Sequence, residues 1–149
     1  MNTKKLTAIT LWANRITAAV VLSLVFTLPS LLEWYADLLG FHPPRRDMIG
    51  IAVAFDLCAA AIFYALWNME RLLRSIGQKA VFIPENVRRL RRIAWCCAVV
   101  AILCLGATFF ALPLVIFAAI MGFLCLAVNV MGCVMDAAVA IREENDLTI

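Results

Sequence analysis

The chain has 149 residues, of which 65% are hydrophobic and 15% charged, with a formal net charge of +3. Soluble globular chains average about 45–50% apolar and about 25% charged residues, and a soluble domain of this length cannot bury so much apolar surface. The composition therefore excludes a soluble globular domain and a disordered chain, and it predicts an integral membrane protein.

Three apolar runs predict membrane-spanning helices, each of which needs roughly 20 residues to cross the hydrocarbon core. The first run, residues 16–32, is short and is expected to extend at both ends. The first helix is predicted at about residues 16–33, and the second at about 48–69 with one charge, Asp56. The third run, residues 93–135, is uncharged and about twice as long as one crossing requires. It therefore predicts a hairpin of two helices, at about 93–110 and 114–135, with Pro113 in the opening turn of the fourth helix.

The expected fold class is an all-α integral membrane bundle of four transmembrane helices that forms a single domain over residues 1–149. A membrane barrel would require alternating polar and apolar positions, whereas these runs are apolar on every side. Two polar regions remain outside the predicted spans, the connection 70–92 and the tail 136–149.

Basic residues are unevenly distributed between the two sides that this topology defines. Eleven Lys and Arg residues lie on the side of both chain ends and the connection 70–92, whereas only Arg45 and Arg46 lie on the other. Because cytoplasmic loops carry the excess of basic residues, we predict that both termini and this connection are cytoplasmic. The four tryptophans agree, since each falls at a predicted membrane boundary: Trp12, Trp34, Trp67 and Trp95.

The connection 70–92 contains signals for a helix end and a helix start. We expect the second helix to end at Gly77 and the third to begin at Pro84, with Glu85 in its first turn. A basic run follows at Arg88, Arg89, Arg91 and Arg92. This run suits an anchor that contacts anionic lipid headgroups, or a surface that binds a cytoplasmic protein. Direct nucleic-acid binding is not expected, because no stacking aromatic residues are interleaved with the arginines.

The tail 136–149 is rich in residues that favour helix, so the fourth helix should continue into the cytoplasm and end at Asn145. Its acidic end, with Glu143, Glu144 and Asp146, would share a compartment with the arginines. The tail could clasp the basic run or remain solvated, since exposed ion pairs contribute little unless they form networks.

Two segments carry a family resemblance, the run 82–93 (FIPENVRRLRRI) and the ending 143–149 (EENDLTI). With the four hydrophobic segments, they resemble the bacterial membrane family called domain of unknown function 2975 over essentially the whole chain. The resemblance implies a small four-helix protein of the bacterial cell membrane with no established activity, often encoded beside a small helix-turn-helix regulator. Its matched positions are Glu85, Asn86, Arg88, Leu90, Glu144, Asn145, Asp146 and Leu147.

The resemblance and the charge pattern together predict a non-enzymatic membrane sensor or anchor that binds a cytoplasmic regulator. The candidate partner-binding residues belong to the connection and the tail: Glu85, Asn86, Arg88, Arg89, Leu90, Arg91, Arg92, Glu143, Glu144, Asn145, Asp146 and Leu147. The chain could instead be a structural subunit of a larger membrane complex. The oligomeric state stays open.

Polar residues within or near the predicted spans are the other candidates, because a charge in the bilayer costs roughly 2.5–3.5 kcal/mol on insertion scales. Asp56 indicates either a proton or cation site of a small transporter or immunity-type exporter, or a protonated or water-exposed carboxyl that bonds to a neighbouring hydroxyl. The candidate hydroxyls are Thr27, Ser23 and Thr108. Asn129 is expected to bond between helices, and Asp136 to lie at the inner membrane edge.

No cofactor, metal site or enzymatic activity is expected. The six cysteines lie in apolar runs without a C-x-x-C spacing, which favours packing over metal binding. The single histidine, His42, lies in the outer connection, far from most of them. Hydrolytic triads, phosphate-binding loops and dinucleotide fingerprints are absent from the sequence.

Overall fold

The computed structural model describes residues 3–40, 44–78, 83–109 and 112–147. This part of the chain forms four helices and no strand: α1, Thr3–Leu39; α2, Arg45–Gly77; α3, Pro84–Ala107; and α4, Leu114–Leu147. All four helices are long and apolar enough to cross a bilayer. The predicted all-α fold with four such helices is confirmed.

Local sequence signals account for several helix boundaries. As predicted, α2 ends at Gly77, and α3 begins at Pro84 with Glu85 in its first turn. Proline suits this position because its missing N–H would have no partner within the helix. Helix α4 begins one residue after Pro113, whose carbonyl accepts the N–H of Ile116 at 3.2 Å.

Three of the helices are much longer than a bilayer crossing requires. Helix α1 has 37 residues, α2 has 33 and α4 has 34, against the roughly 20 that span the hydrocarbon core. Helix α4 passes through Asn145 to Leu147, so the predicted end at Asn145 is wrong. One Asn costs a helix only a few tenths of a kcal/mol, which the surrounding helix-favouring residues of the tail offset.

The helices pack only on their neighbours in the sequence, α1 on α2, α2 on α3 and α3 on α4. Across the described ranges, no other pair of helices packs together. The four helices therefore form an open row, in which α1 and α4 do not pack on each other within the described ranges. Because lipid is as apolar as the side chains, no exposed apolar face forces the row to close.

Helix α3 occupies the centre of the packed part and buries one long face between α2 and α4. Its buried residues recur at helical spacing: Asn86, Val87, Leu90, Ile93, Ala94, Cys96, Val100 and Ala107. The outer helix α1 contributes much less to the interior. Among its described side chains, Asn14 and Ala36 are buried. Helix α1 is therefore held chiefly through its contact with α2.

The surface is far larger and more apolar than a soluble protein tolerates. The accessible surface is 10649 Å², against roughly 7,500 Å² for a compact soluble monomer of this mass. Large side chains such as Phe26, Phe109 and Phe123 are mostly exposed. Such a surface is compatible with a bilayer, where apolar groups need no burial within the chain.

Candidate functional site

One end of the row gathers most of the basic side chains, and we call it the basic end. It comprises the beginnings of α1 and α3 and the ends of α2 and α4, because consecutive helices run antiparallel. Arg15 of α1 reaches Glu70 of α2, and Arg89 of α3 reaches the carbonyl of Arg71. The beginning of α1 and the end of α4, which lie nearest the chain termini, are therefore both at the basic end.

Glu70 links α1 to α2 at the basic end. Its Oε1 accepts hydrogen bonds from Arg15 at 3.2 Å and from Arg74 at 2.7 Å. Arg74 is one helical turn after Glu70, whereas Arg15 comes from the other helix. Nearby, Asn14 donates from Nδ2 to the carbonyl of Leu66 at 3.2 Å. Two polar contacts therefore set the position of α1 along α2.

Arg89 links α3 to α2. Its Nη1 donates to the carbonyl of Arg71 at 3.2 Å and to Oδ1 of Asn86 at 3.3 Å, and its Nε lies 3.7 Å from Glu85. Only 17% of the Arg89 side chain is exposed, against 66% for the neighbouring Arg88. Partial burial and several contacts hold this guanidinium in one orientation.

A cavity of about 380 Å³ opens between the end of α2 and the beginning of α3, and we call it the arginine cavity. Its lining residues are Arg71, Arg74, Ser75, Gln78, Ile83 and Arg89. The Arg71 guanidinium also lies over the Trp67 ring, 5.4 Å from its centroid, in a cation–π contact. Three guanidinium groups with no acidic residue in the lining are suited to binding an anion.

The structure separates the predicted partner-binding residues of α3 into exposed and buried groups. Arg88, Arg91 and Arg92 are exposed, and Glu85 is partly exposed and accepts a 2.9 Å hydrogen bond from Arg88. Asn86 is 0% exposed and Leu90 is buried, so neither side chain is accessible on the surface of the described chain. They lie on the face of α3 that packs inside the row.

The tail is an extension of α4. Val139 is buried, so the helix still packs on the protein one turn beyond the exposed Asp136. Glu144 is exposed. The side chains of the other predicted partner-binding residues of the tail lie outside what the structure describes: Glu143, Asn145, Asp146 and Leu147. The ion pairs of Arg88 and Arg89 within the described side chains go to Glu85, their neighbour on α3.

A family model described as Protein of unknown function (DUF2975) matches residues 6–149, which is nearly the whole chain. The chain belongs to this family. The predicted resemblance is therefore confirmed, and it covers all four helices as well as the basic run and the tail. Neither a curated protein nor a solved structure matches the chain.

The intramembrane polar residues of this DUF2975 protein differ from the sequence prediction. Asp56 is exposed on α2, and the described chain offers it no hydrogen-bond or ionic partner. Thr27 and Thr108 donate to carbonyls of their own helices, at 2.9 and 3.1 Å, so neither of these hydroxyls bonds to Asp56. Asn129 contacts Cys125 Sγ of its own helix at 3.6 Å, so its predicted interhelical bond is wrong. Both outcomes reflect the preference of short polar side chains for nearby atoms of their own helix.

Four residues of the basic end were not selected from the sequence: Arg15, Glu70, Arg71 and Arg74. A signal for the last two was present, because Arg71, Arg74, Ser75 and Gln78 recur at spacings of three and four, which places them on one helix face. Trp67 lies one turn before Arg71 on the same face. The sequence contains no sign that Arg89 of α3 would lie against this face of α2.

Several of the cysteines line contacts between helices. Cys58 of α2 and Cys104 of α3 face a wholly apolar groove of about 280 Å³, which α4 borders on its other side. Cys58 and Cys96 are buried, as packing residues should be, whereas Cys133 is exposed on α4. In the described ranges, no group of three His, Cys, Asp or Glu residues could hold a metal ion. The predicted outer-loop His42 lies outside those ranges.

Proposed function

We propose that this DUF2975 protein is a non-enzymatic sensor or anchor of the bacterial cell membrane that holds a cytoplasmic regulator on its basic end. Both chain ends would lie in the cytoplasm. The preference of basic residues for cytoplasmic loops supports this orientation, since eleven of the thirteen Lys and Arg residues belong to that side.

The observation that carries the proposal is the length of α4 beyond the membrane. Its 34 residues exceed a bilayer crossing by about 14, or about 20 Å at 1.5 Å per residue. This extension lies at the same end as the exposed Arg88, Arg91 and Arg92 of α3. A helix that continues past the length of a bilayer crossing beside an exposed basic face offers a soluble protein a surface of mixed charge.

A small helix-turn-helix regulator, of the type that the resemblance implies, fits this surface by charge. Such a regulator binds DNA phosphates through a basic face, to which the acidic residues of the tail are complementary. The tail contains Glu143, Glu144 and Asp146 within its last seven positions. Binding through this segment would compete with DNA, so the membrane protein would sequester the regulator.

The test is copurification of the regulator encoded beside the gene with the full-length membrane protein in detergent. We expect the triple substitution Glu143→Gln, Glu144→Gln and Asp146→Asn to reduce the captured regulator by about tenfold. A control variant, Arg45→Gln with Arg46→Gln, changes charge at the opposite end and should capture as much as the wild type. Equal capture by the tail variant and the wild type would contradict the proposal.

A second candidate function is a small transporter or immunity-type exporter that uses Asp56. The observation in its favour is the exposure of this carboxyl in the middle of an apolar helix, where ionisable residues often serve transport. Asp56→Asn should then abolish transport or resistance at normal expression, whereas Asp47→Asn, in the first turn of α2, should not. Full function of Asp56→Asn would dismiss this candidate.

A further inference from the structure

Among the side chains that the structure describes, the arginine cavity has more arginines than carboxylates around it. Five arginines line it or pair with the same carboxylates as its lining residues, and only two carboxylates, those of Glu70 and Glu85, pair with them. The arginines are Arg15, Arg71, Arg74, Arg88 and Arg89. Within the described chain, Arg71 pairs with neither carboxylate, and its guanidinium contacts the Trp67 ring instead. Like charges held this close repel, so an anion between them would be stabilising.

The guanidinium groups are already positioned before any anion arrives. Arg89 is fixed by the carbonyl of Arg71 and by Asn86, and Arg74 by its 2.7 Å bond to Glu70. Arg71 rests on Trp67. A site whose side chains are ordered in advance loses less conformational entropy on binding, which increases its affinity.

One of the two helix ends beside the cavity also favours negative charge. Ile83, the residue that precedes α3, lines the cavity, so the positive end of the α3 dipole lies beside it. At the opposite wall, the last carbonyls of α2, at Arg74 and Ser75, accept the Gln78 N–H at 3.2 Å. This cap reduces the negative potential that a helix end would otherwise present.

We propose that the arginine cavity binds a phosphate group, most naturally that of an anionic phospholipid headgroup. Guanidinium groups donate paired hydrogen bonds to phosphate oxygens, and three of them line a cavity of about 380 Å³. The exposed Trp67 lies beside the cavity, and tryptophan marks the level of the lipid headgroups. The headgroup phosphate of a lipid is thus at the same depth as the cavity. A soluble phosphate compound would use the same donors.

The site lies at the same basic end as the proposed regulator surface, but other residues line it. Its residues belong to α2, to the beginning of α3 and to the turn between them, whereas the regulator test changes only the tail of α4. Failure of one proposal therefore leaves the other standing.

The experiment measures lipid retained by the purified full-length protein with native mass spectrometry, after exchange into mixed micelles. One micelle contains phosphatidylcholine alone, and the other contains phosphatidylcholine with phosphatidylglycerol. A parallel arm measures the tryptophan-fluorescence melting temperature in sodium phosphate and in sodium chloride at equal ionic strength. The two arms distinguish a lipid phosphate from a soluble one.

The decisive variant is Arg71→Gln with Arg74→Gln, and its matched control is Arg91→Gln with Arg92→Gln, two exposed arginines of α3 outside the cavity. We expect the wild type to retain phosphatidylglycerol in preference to phosphatidylcholine. Retention of phosphatidylglycerol should fall about tenfold in the cavity variant and less than about twofold in the control. Arg71→Gln alone, which removes no ion pair within the described chain, should lose retention without any change in size-exclusion profile.

The other outcomes of the two measurements either support the phosphate site or overturn it. Phosphate-dependent stabilisation of the wild type that is absent from the cavity variant would support the phosphate site and assign it to a soluble compound. Equal losses in the cavity variant and the control would show general surface charge and overturn the proposal. Absence of any preference for phosphatidylglycerol, together with no effect of phosphate, would overturn it too.

Discussion

The guanidinium of Arg89 on α3 donates a 3.2 Å hydrogen bond to the backbone carbonyl of Arg71 on α2. This bond fixes the depth of one helix against the other at the basic end. Arg89 also lines the arginine cavity, so one side chain holds two helices together and orients the site. Fold stability and anion binding therefore depend on the same residue, which is why Arg71 is the better position for a binding test.

Substitution of Arg89 should destabilise the protein. Arg89→Met keeps the apolar stem but loses the bonds to the Arg71 carbonyl and to Asn86, and charged hydrogen bonds contribute about 1.5–3 kcal/mol. We expect a lower midpoint in tryptophan-fluorescence thermal unfolding in detergent. The exposed Arg92→Met should change stability by less than about 0.5 kcal/mol. Equal midpoints for the two variants would show that the Arg89 contacts contribute nothing.

Substitution of Asn14 should loosen α1 from the row. Asn14→Leu removes the bond to the Leu66 carbonyl, and interhelical bonds in membranes average about 0.6 kcal/mol. The measurement is disulfide crosslinking of Thr7→Cys with Gly77→Cys in a background without native cysteines. A Cβ at Gly77 would lie 3.5 Å from Thr7 Cγ2, so the pair should crosslink readily.

The control for this prediction is Thr17→Val on the same helix. The Thr17 hydroxyl donates to the Ala13 carbonyl of α1 itself, so its loss removes no contact with α2. Crosslinking should slow in the Asn14→Leu background and stay unchanged in the Thr17→Val background. An equal rate in both would contradict the assigned role of Asn14.

Replacement of Asp56 by an apolar residue should favour membrane insertion of α2. The carboxyl is exposed in the middle of the helix and has no partner in the described chain, and Asp56→Leu should gain about 3 kcal/mol on insertion scales. A translocon insertion assay of α2 measures this gain. Asp47→Leu, at the beginning of the helix, should gain much less. Unimproved insertion would mean that Asp56 does not enter the hydrocarbon.

The basic end should face the cytoplasm. In a background without native cysteines, Arg46→Cys should react with an impermeant thiol reagent added to intact cells, because Arg46 lies at the opposite end. Arg92→Cys should react only after the membrane is permeabilised. Labelling of Arg92→Cys in intact cells would reverse the orientation and remove the basis for binding a cytoplasmic regulator.

The sequence predicted individual helices better than their arrangement. Gly77 and Pro84 marked the boundaries of α2 and α3 correctly, because caps and proline act through the local backbone. The burial of Asn86 and Leu90 was missed, although both belong to the basic run that the sequence singled out. Their neighbours Arg88 and Arg92 are exposed, so the helix rotation decides which residues of one run remain accessible.

The sequence by itself determined the number of helices and the all-helical membrane fold, since the apolar length needed to cross lipid is a property of each segment alone. Only the tertiary structure decided that the helices form an open row, that Asp56 is exposed and that Arg89 joins Arg71 and Arg74 around one cavity. In lipid, the packed and exposed faces of a helix are both apolar. The residue pattern therefore gives little information about which faces meet, and the packing of particular side chains decides it.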